Sequence, residues 1–525
     1  MSDTDRRAVR TGLVLATLLG IAPAVSLAAA PPRCADLMKF RIPGSSMQIQ
    51  KAEVVPAGKA PAPPNGPPGP GIDLPAYCRV EGVIDPRTGV DGKPYAIRFA
   101  VALPEKWNGR FLMQGGGGLN GSLNPPLGAQ AAGDAPALAR GFAVASTDSG
   151  HQGAGFDASF LQDQEAALNF LYQSVGKVSV VAKQIVAARY GKTADHNYFV
   201  GCSTGGREAM ILSQRYPNEY DGIVAGAPAM RTNYSNLAVR WITTSLNSVA
   251  PKDATGKAQT DKALSPGDRK LFMDALLKSC DALDGVADGM IFNTRACHFD
   301  PAVLACSGAK TDSCLTTAQV NAVKQGFAGP KTSRGRQVYP GFLYDTGNSS
   351  SGRGLPGLLV TGFAPEGNNP TGAEMDVDAE DAIAHDAREM AGDSDAWTNL
   401  SSFTGHRGKL IFFHGNSDPW FSALETVRYY EQLAKDNPRT PVQDWSRLFL
   451  VPGMGHCQGG DATLDRFNML DAIVDWVEQG KAPAQVVATG AAFPGRSRPL
   501  CPYPQHTQYS GSGNPDSAAS YRCAE

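Results

Sequence analysis

The stretch Tyr198-Phe199-Val200-Gly201-Cys202-Ser203-Thr204-Gly205-Gly206-Arg207 decides how the chain is read. A short apolar strand runs into Gly-x-Ser-x-Gly, and a helical pattern begins at once behind it. A serine presented on a sharp strand-to-helix turn needs small residues on both sides, so that neighbouring backbone does not clash. The helix start also aims free amide N–H groups at charge developing on a substrate. Ser203 is therefore the candidate nucleophile.

Working outward, strand-like runs occur at Tyr95–Leu103, Arg110–Gln114, Phe142–Thr147, Tyr198–Gly201 and Gly222–Ala225. Helical periodicity lies between them, most clearly at Lys177–Tyr190 and Arg207–Tyr216. Alternation of this kind predicts an α/β fold with a mainly parallel sheet covered on both faces. The pattern lapses over residues 229–406, then resumes as strand Lys409–His414, helix Phe421–Ala434, strand Arg447–Val451 and helix Asp465–Gln479. We read one α/β domain in two parts, 29–228 and 407–525, interrupted by a cysteine-stapled lid at 229–406. Residues 56–75, rich in Pro, Gly and Ala, read as an extended surface loop.

A serine hydroxyl needs a base. His456 stands in Pro452-Gly453-Met454-Gly455-His456-Cys457, a Gly-rich loop directly after a strand. Asp418 follows another strand end in His414-Gly415-Asn416-Ser417-Asp418-Pro419, between Ser and His in chain order, and would orient the imidazole. His414 itself reads as a structural, hydrogen-bonded residue. The oxyanion donors would be the Thr204 amide and one from the loop Gln114-Gly115-Gly116-Gly117-Gly118-Leu119-Asn120-Gly121.

Composition sets the context. Of 525 residues 42% are hydrophobic and 19% charged, enough to bury a large core. Forty-eight basic against fifty acidic residues give a net charge of −2, with no electrostatic footprint for nucleic acid. Arg6, Arg7 and Arg10 precede an apolar run from Leu13 to Val25 and the small residues Ser26-Leu27-Ala28-Ala29-Ala30. That is an export signal, taken as residues 1–28, and too short for a membrane span; no span is expected in the mature chain. Ten cysteines in an exported chain imply disulfides. Chain proximity suggests Cys34–Cys78, Cys280–Cys297, Cys306–Cys314 and Cys501–Cys523. Cys202 and Cys457 remain. If Ser203 and His456 lie within hydrogen-bond reach, these neighbours come close enough to bridge; a Cys–His metal pair competes, though no CxxC or second histidine accompanies it.

A second motif is Cys280-Asp281-Ala282-Leu283-Asp284-Gly285-Val286-Ala287-Asp288-Gly289-Met290. Three aspartates with two glycines for turns supply hard oxygen ligands in a compact loop, which suits calcium, although the spacing is not that of an EF-hand. A solvated acidic turn is the other reading.

Together these motifs resemble the tannase/feruloyl esterase family of α/β-hydrolases. The resemblance rests on Gly201–Gly206, Asp418 after His414-Gly415, His456-Cys457 and the Asp281–Met290 loop. It implies a triad of Ser203, Asp418 and His456, a Cys202–Cys457 bridge, and a lid holding Ca2+ through Asp281, Asp284, Asp288 and the carbonyls of Val286 and Met290. It further implies Gly118 as the oxyanion donor beside Thr204, and a small-molecule ester of an aromatic acid, feruloyl or galloyl, as substrate. Trp107–Phe111, Asn120–Leu123, Phe421–Leu424 and Leu500–Gln505 are similar to members that cleave terephthalate half-esters such as mono(2-hydroxyethyl) terephthalate, an alternative substrate class. Arg353 and Arg388 are candidates for gripping its free carboxylate.

Overall fold

The computed structural model describes residues 32–60, 71–347, 372–385 and 390–525. The expected signal at 1–28 and both Arg353 and Arg388 lie outside the described residues. Nine strands form the central sheet: β1 (Gln48–Val55), β2 (Tyr77–Thr88), β3 (Pro94–Pro104), β4 (Arg110–Gln114), β5 (Ala143–Thr147), β6 (His196–Cys202), β7 (Gly222–Gly226), β8 (Lys409–Gly415) and β9 (Ser446–Val451). Their spatial order is β1-β2-β3-β5-β4-β6-β7-β8-β9.

The six strands from β5 to β9 in that order are all parallel. They read as apolar runs because helices bury both of their faces; β5 and β7 are buried at every position. The other three strands pair antiparallel, β1 with β2, β2 with β3 and β3 with β5. Two of these, β1 and β2, escape the sequence pattern. Strand β1 (Gln-Ile-Gln-Lys-Ala-Glu-Val-Val) has one buried residue, and β2 carries Asp85 and Pro86 at a register shift. In the expected loop 56–75, Gly58–Lys59 pairs with Asp73–Leu74, closing the base of the excursion.

Two apolar clusters cover the sheet. One packs α1 (Ser174–Tyr190) and α2 (Thr204–Arg215) onto Phe99, Phe111, Phe199 and Phe412. The other packs the C-terminal helix Met469–Gln479 onto Tyr198, Val224, Phe413 and Phe449. That helix begins four residues later than its periodicity suggests because Asn468 caps it. Between β7 and β8 the chain builds a third core of its own, around helices α3 (Thr232–Asn247), α4 (Pro266–Cys280) and α5 (Thr317–Ala328). Leu400 and Phe403 already belong to the main core.

All ten cysteines are paired, as Cys34–Cys78, Cys202–Cys457, Cys280–Cys297, Cys306–Cys314 and Cys501–Cys523.

Candidate active site

Ser203 sits at the C-terminal end of β6 with φ 63° and ψ −123°, a left-handed conformation that a serine adopts only under strain. Helix α2 starts at the next residue, three earlier than the helical pattern suggests. The backbone of Ser203 is fixed on three sides: its amide donates to Gly226 O at 3.0 Å, and its carbonyl accepts from Arg207 N at 3.0 Å and Ala229 N at 3.1 Å. A Cβ on Gly201 would meet the Gly205 carbonyl at 2.5 Å, which is why the first glycine of Gly-x-Ser-x-Gly has no substitute.

His456 and Asp418 come together across the ends of β8 and β9. Asp418 Oδ2 lies 2.7 Å from His456 Nδ1, and its Oδ1 accepts the amides of Trp420 at 2.9 Å and Phe421 at 3.0 Å. Burial pushes the Asp418 carboxyl up, but the imidazoles of His456 and His414 outweigh it and hold the group well below the usual carboxylate range. His414 is buried, bonding Thr426 Oγ1 at 2.8 Å and Phe421 O at 3.0 Å, with Nε2 3.3 Å from Asp418. It therefore braces the acid.

The disulfide Cys202–Cys457, with Cα atoms 6.0 Å apart, joins the serine turn to the histidine loop. Ser203 and His456 are thus neighbours by covalent constraint, although among the described residues no hydrogen bond links Ser203 Oγ to the imidazole. Such bonds are often long before substrate binds.

Opposite the serine, the glycine loop packs on the start of α2. Gly205 N donates to Gly116 O at 3.1 Å, and the Thr204 hydroxyl donates to Gly118 O. Among the described residues the amides of Gly118 and Thr204 donate to no protein group. Around this floor stand aromatic rings. Trp420 and Phe421 stack at 5.2 Å and lie 5.9 and 5.2 Å from the His456 ring, and Phe156, 48% exposed, lies 5.8 Å from Trp420.

Two residues of this architecture carry no motif. Asp345, from the segment between β7 and β8, accepts Ser417 Oγ and Gly453 N, each at 2.7 Å, and so ties the acid loop to the histidine loop. Glu208 lies one turn behind Thr204 on α2 and reaches the glycine loop. Their partners are distant in sequence, which leaves no local signal.

The aspartate loop folds on itself. Asp281 accepts amides of Asp288 and Gly289, Asp284 that of Val286, and Asp288 that of Met290. Arg498 also reaches Asp288. Burial, then the charges of Asp288 and Asp281, push Asp284 up to about 7. Among the described residues no three His, Cys, Asp or Glu side chains stand gathered as a metal centre. The donor chemistry of the loop is that of hard oxygens, with Asp281 and Asp284 buried and Asp288 half-buried, and glycines 285 and 289 at φ 93° and 87° turn the chain between them.

The family model for tannase and feruloyl esterase matches residues 78–385 and 368–524. The chain is 41% identical to mono(2-hydroxyethyl) terephthalate hydrolase of Piscinibacter sakaiensis, covering 86% of this chain and 85% of that one. It is 32% identical to a probable feruloyl esterase B of Aspergillus clavatus, covering 98% and 99%. The crystal structure of feruloyl esterase B from Aspergillus oryzae superposes with a TM-score of 0.73 at 26% identity, over 94% of this chain and 99% of that one. Serine turn, glycine loop and relatives along nearly the whole chain lead to one conclusion: the chain belongs to the tannase and feruloyl esterase family, carboxylic ester hydrolases with the α/β-hydrolase fold.

Proposed function

We propose that this protein is an exported serine esterase that cleaves esters of aromatic acids, of the hydroxycinnamoyl or galloyl class, through an acyl-enzyme. Ser203 Oγ attacks the ester carbonyl carbon while His456 Nε2 takes its proton. Asp418 holds the imidazole by Nδ1 and stabilises its charged form. The amides of Gly118 and Thr204 receive the negative charge that develops on the carbonyl oxygen. The tetrahedral adduct collapses, the alcohol leaves with the proton from His456, and a water activated by the same histidine releases the acid.

The observation that carries this reading is the Asp418–His456 hydrogen bond of 2.7 Å joined by a disulfide to the strained serine turn. The aromatic class is supported by the rings of Trp420 and Phe421 against His456, with Phe156 beside Trp420. Export is supported by the basic and apolar N-terminal sequence and by five disulfides; among the described residues no helix is long and apolar enough to cross a membrane. Calcium in the Asp281–Met290 loop is proposed as a structural ion, with Asp281, Asp284, Asp288 and the carbonyls of Val286 and Met290 as its ligands.

A second substrate reading, terephthalate half-esters, is favoured by the 41% identity to a protein of that activity. Measuring kcat/KM on methyl ferulate, methyl gallate and mono(2-hydroxyethyl) terephthalate, with Ser203→Ala as blank, separates the two. A preference for ferulate or gallate is expected, and a preference for the half-ester would replace that assignment. Activity unchanged in the blank would remove the mechanism.

A further inference from the structure

Behind the oxyanion loop lies a carboxylate that the reaction scheme does not use. Glu208 is 1% exposed on α2, and burial pushes its carboxyl above the usual range, with the Gly116 amide and Arg207 acting the other way. Its Oε2 accepts the Gly116 amide at 2.8 Å. Its Oε1 accepts Ser149 Oγ at 3.1 Å and Asn120 Nδ2 at 3.3 Å, and Asn120 also donates to Ser149. Two of these donors flank one turn: Gly116 precedes it, Asn120 N closes it on Gly117 O at 3.0 Å, and Gly118 lies inside.

This arrangement is costly. A buried carboxylate gives up its hydration, and an apolar side chain would fill the space with less penalty. Asn120 and Ser149, two of its donors, stand at φ 52° and 64°, left-handed positions that ordinary side chains avoid. The loop leaves no slack, since a Cβ on Gly116 would meet the Asn120 side chain at about 2 Å. What a carboxylate does here that an apolar group cannot is take N–H donors from residue 116 and residue 120 at once. That fixes the orientation of the peptides between them and leaves the Gly118 amide free to face the substrate.

We propose that Glu208 is the positioning residue of the oxyanion hole, holding the Gly118 amide in its reactive orientation from the helix that also carries Thr204. The inference rests on the serine-esterase reading above. Glutamine fills the same volume without the charge; with its amide oxygen on the Gly116 N–H, its NH2 meets Ser149 and Asn120, which must turn from donors into acceptors and so re-set the loop.

The test is Glu208→Gln, assayed on methyl ferulate and with an aromatic trifluoromethyl ketone that forms a hemiketal oxyanion on Ser203. We expect kcat to fall about 10- to 100-fold with KM within about twofold, below the full loss of an oxyanion donor. Ketone affinity should weaken by a similar factor, while ferulate binding to Ser203→Ala/Glu208→Gln matches that of Ser203→Ala. Unchanged kcat and ketone inhibition, or a loss confined to KM, would overturn the role of Glu208. A ketone that fails to inhibit the wild type would overturn the serine-esterase reading instead. Should Glu208→Gln not fold, Ser149→Ala and Asn120→Ala remove the donors singly and should shift kcat and ketone affinity together by smaller factors; a fall in thermal stability alone would count against the proposal.

Discussion

Ser203 pays for its reactivity in backbone strain, and the three hydrogen bonds on its main chain hold that strain in place. On this account Ser203→Ala should lower kcat by at least about 10⁴-fold in a folded protein, measured by initial rates beside a circular dichroism spectrum. Asp418→Asn should cost about 10³- to 10⁴-fold, because the amide leaves the imidazole without its charge partner and in the wrong tautomer. The acid also has a thermodynamic signature. Its folded pKa is held below that of the unfolded chain, so the stability it contributes is fully present above pH ~4 and is lost as pH falls through the folded value. The melting-temperature difference between wild type and Asp418→Asn should therefore narrow between pH 5 and pH 2. These residues were legible in the sequence because each sits in a short Gly-rich motif at a strand end. Glu208 was not, since its partners Gly116, Asn120 and Ser149 lie 92, 88 and 59 positions away.

At the scale of elements, the serine turn and the histidine loop belong to separate βα units that only the Cys202–Cys457 bridge joins covalently. It spans 255 residues, worth roughly 5 kcal/mol against the unfolded chain. Cys202→Ser/Cys457→Ser should lower the unfolding free energy by a few kcal/mol in a denaturant titration, and lower kcat more than KM. The parallel strands were readable from their apolar runs, which follow from burial on two faces. Strand β1 was hidden because it is an edge strand with nearly all its side chains in solvent, where alternation carries no apolar signal.

For the whole molecule, the segment between β7 and β8 is built into the proposed catalytic machinery. Asp345, a buried residue of that segment, holds both the acid loop and the histidine loop. Asp345→Ala leaves Ser417 and Gly453 without their shared acceptor and should cost about 2–4 kcal/mol in stability, with a fall in kcat from the loosened His456. Calcium would act at longer range: chelation should lower the melting temperature before it changes kcat, checked with metal content measured on the same sample. In the sequence this segment shows itself as a lapse in strand–helix alternation over 229–406, although Leu400 and Phe403 within that span pack into the main core. Its inward contacts were not legible, because a single aspartate among Gly- and Ser-rich loops carries no periodicity.

The spacing of the cysteines narrows a combinatorial problem. Ten thiols can pair in about 945 ways, yet four of the native bridges span only 8, 17, 22 and 44 residues. Bringing together the ends of the 255-residue span costs about 2 kcal/mol more than closing the 17-residue one. Loop closure alone therefore favours short bridges over the long one, but it does not choose among the short ones, since Cys297 stands nearer Cys306 than its partner Cys280. The bridge between the serine and histidine loops is the one that chain proximity helps least, so it is the one that most needs the folded sheet to bring its two cysteines together.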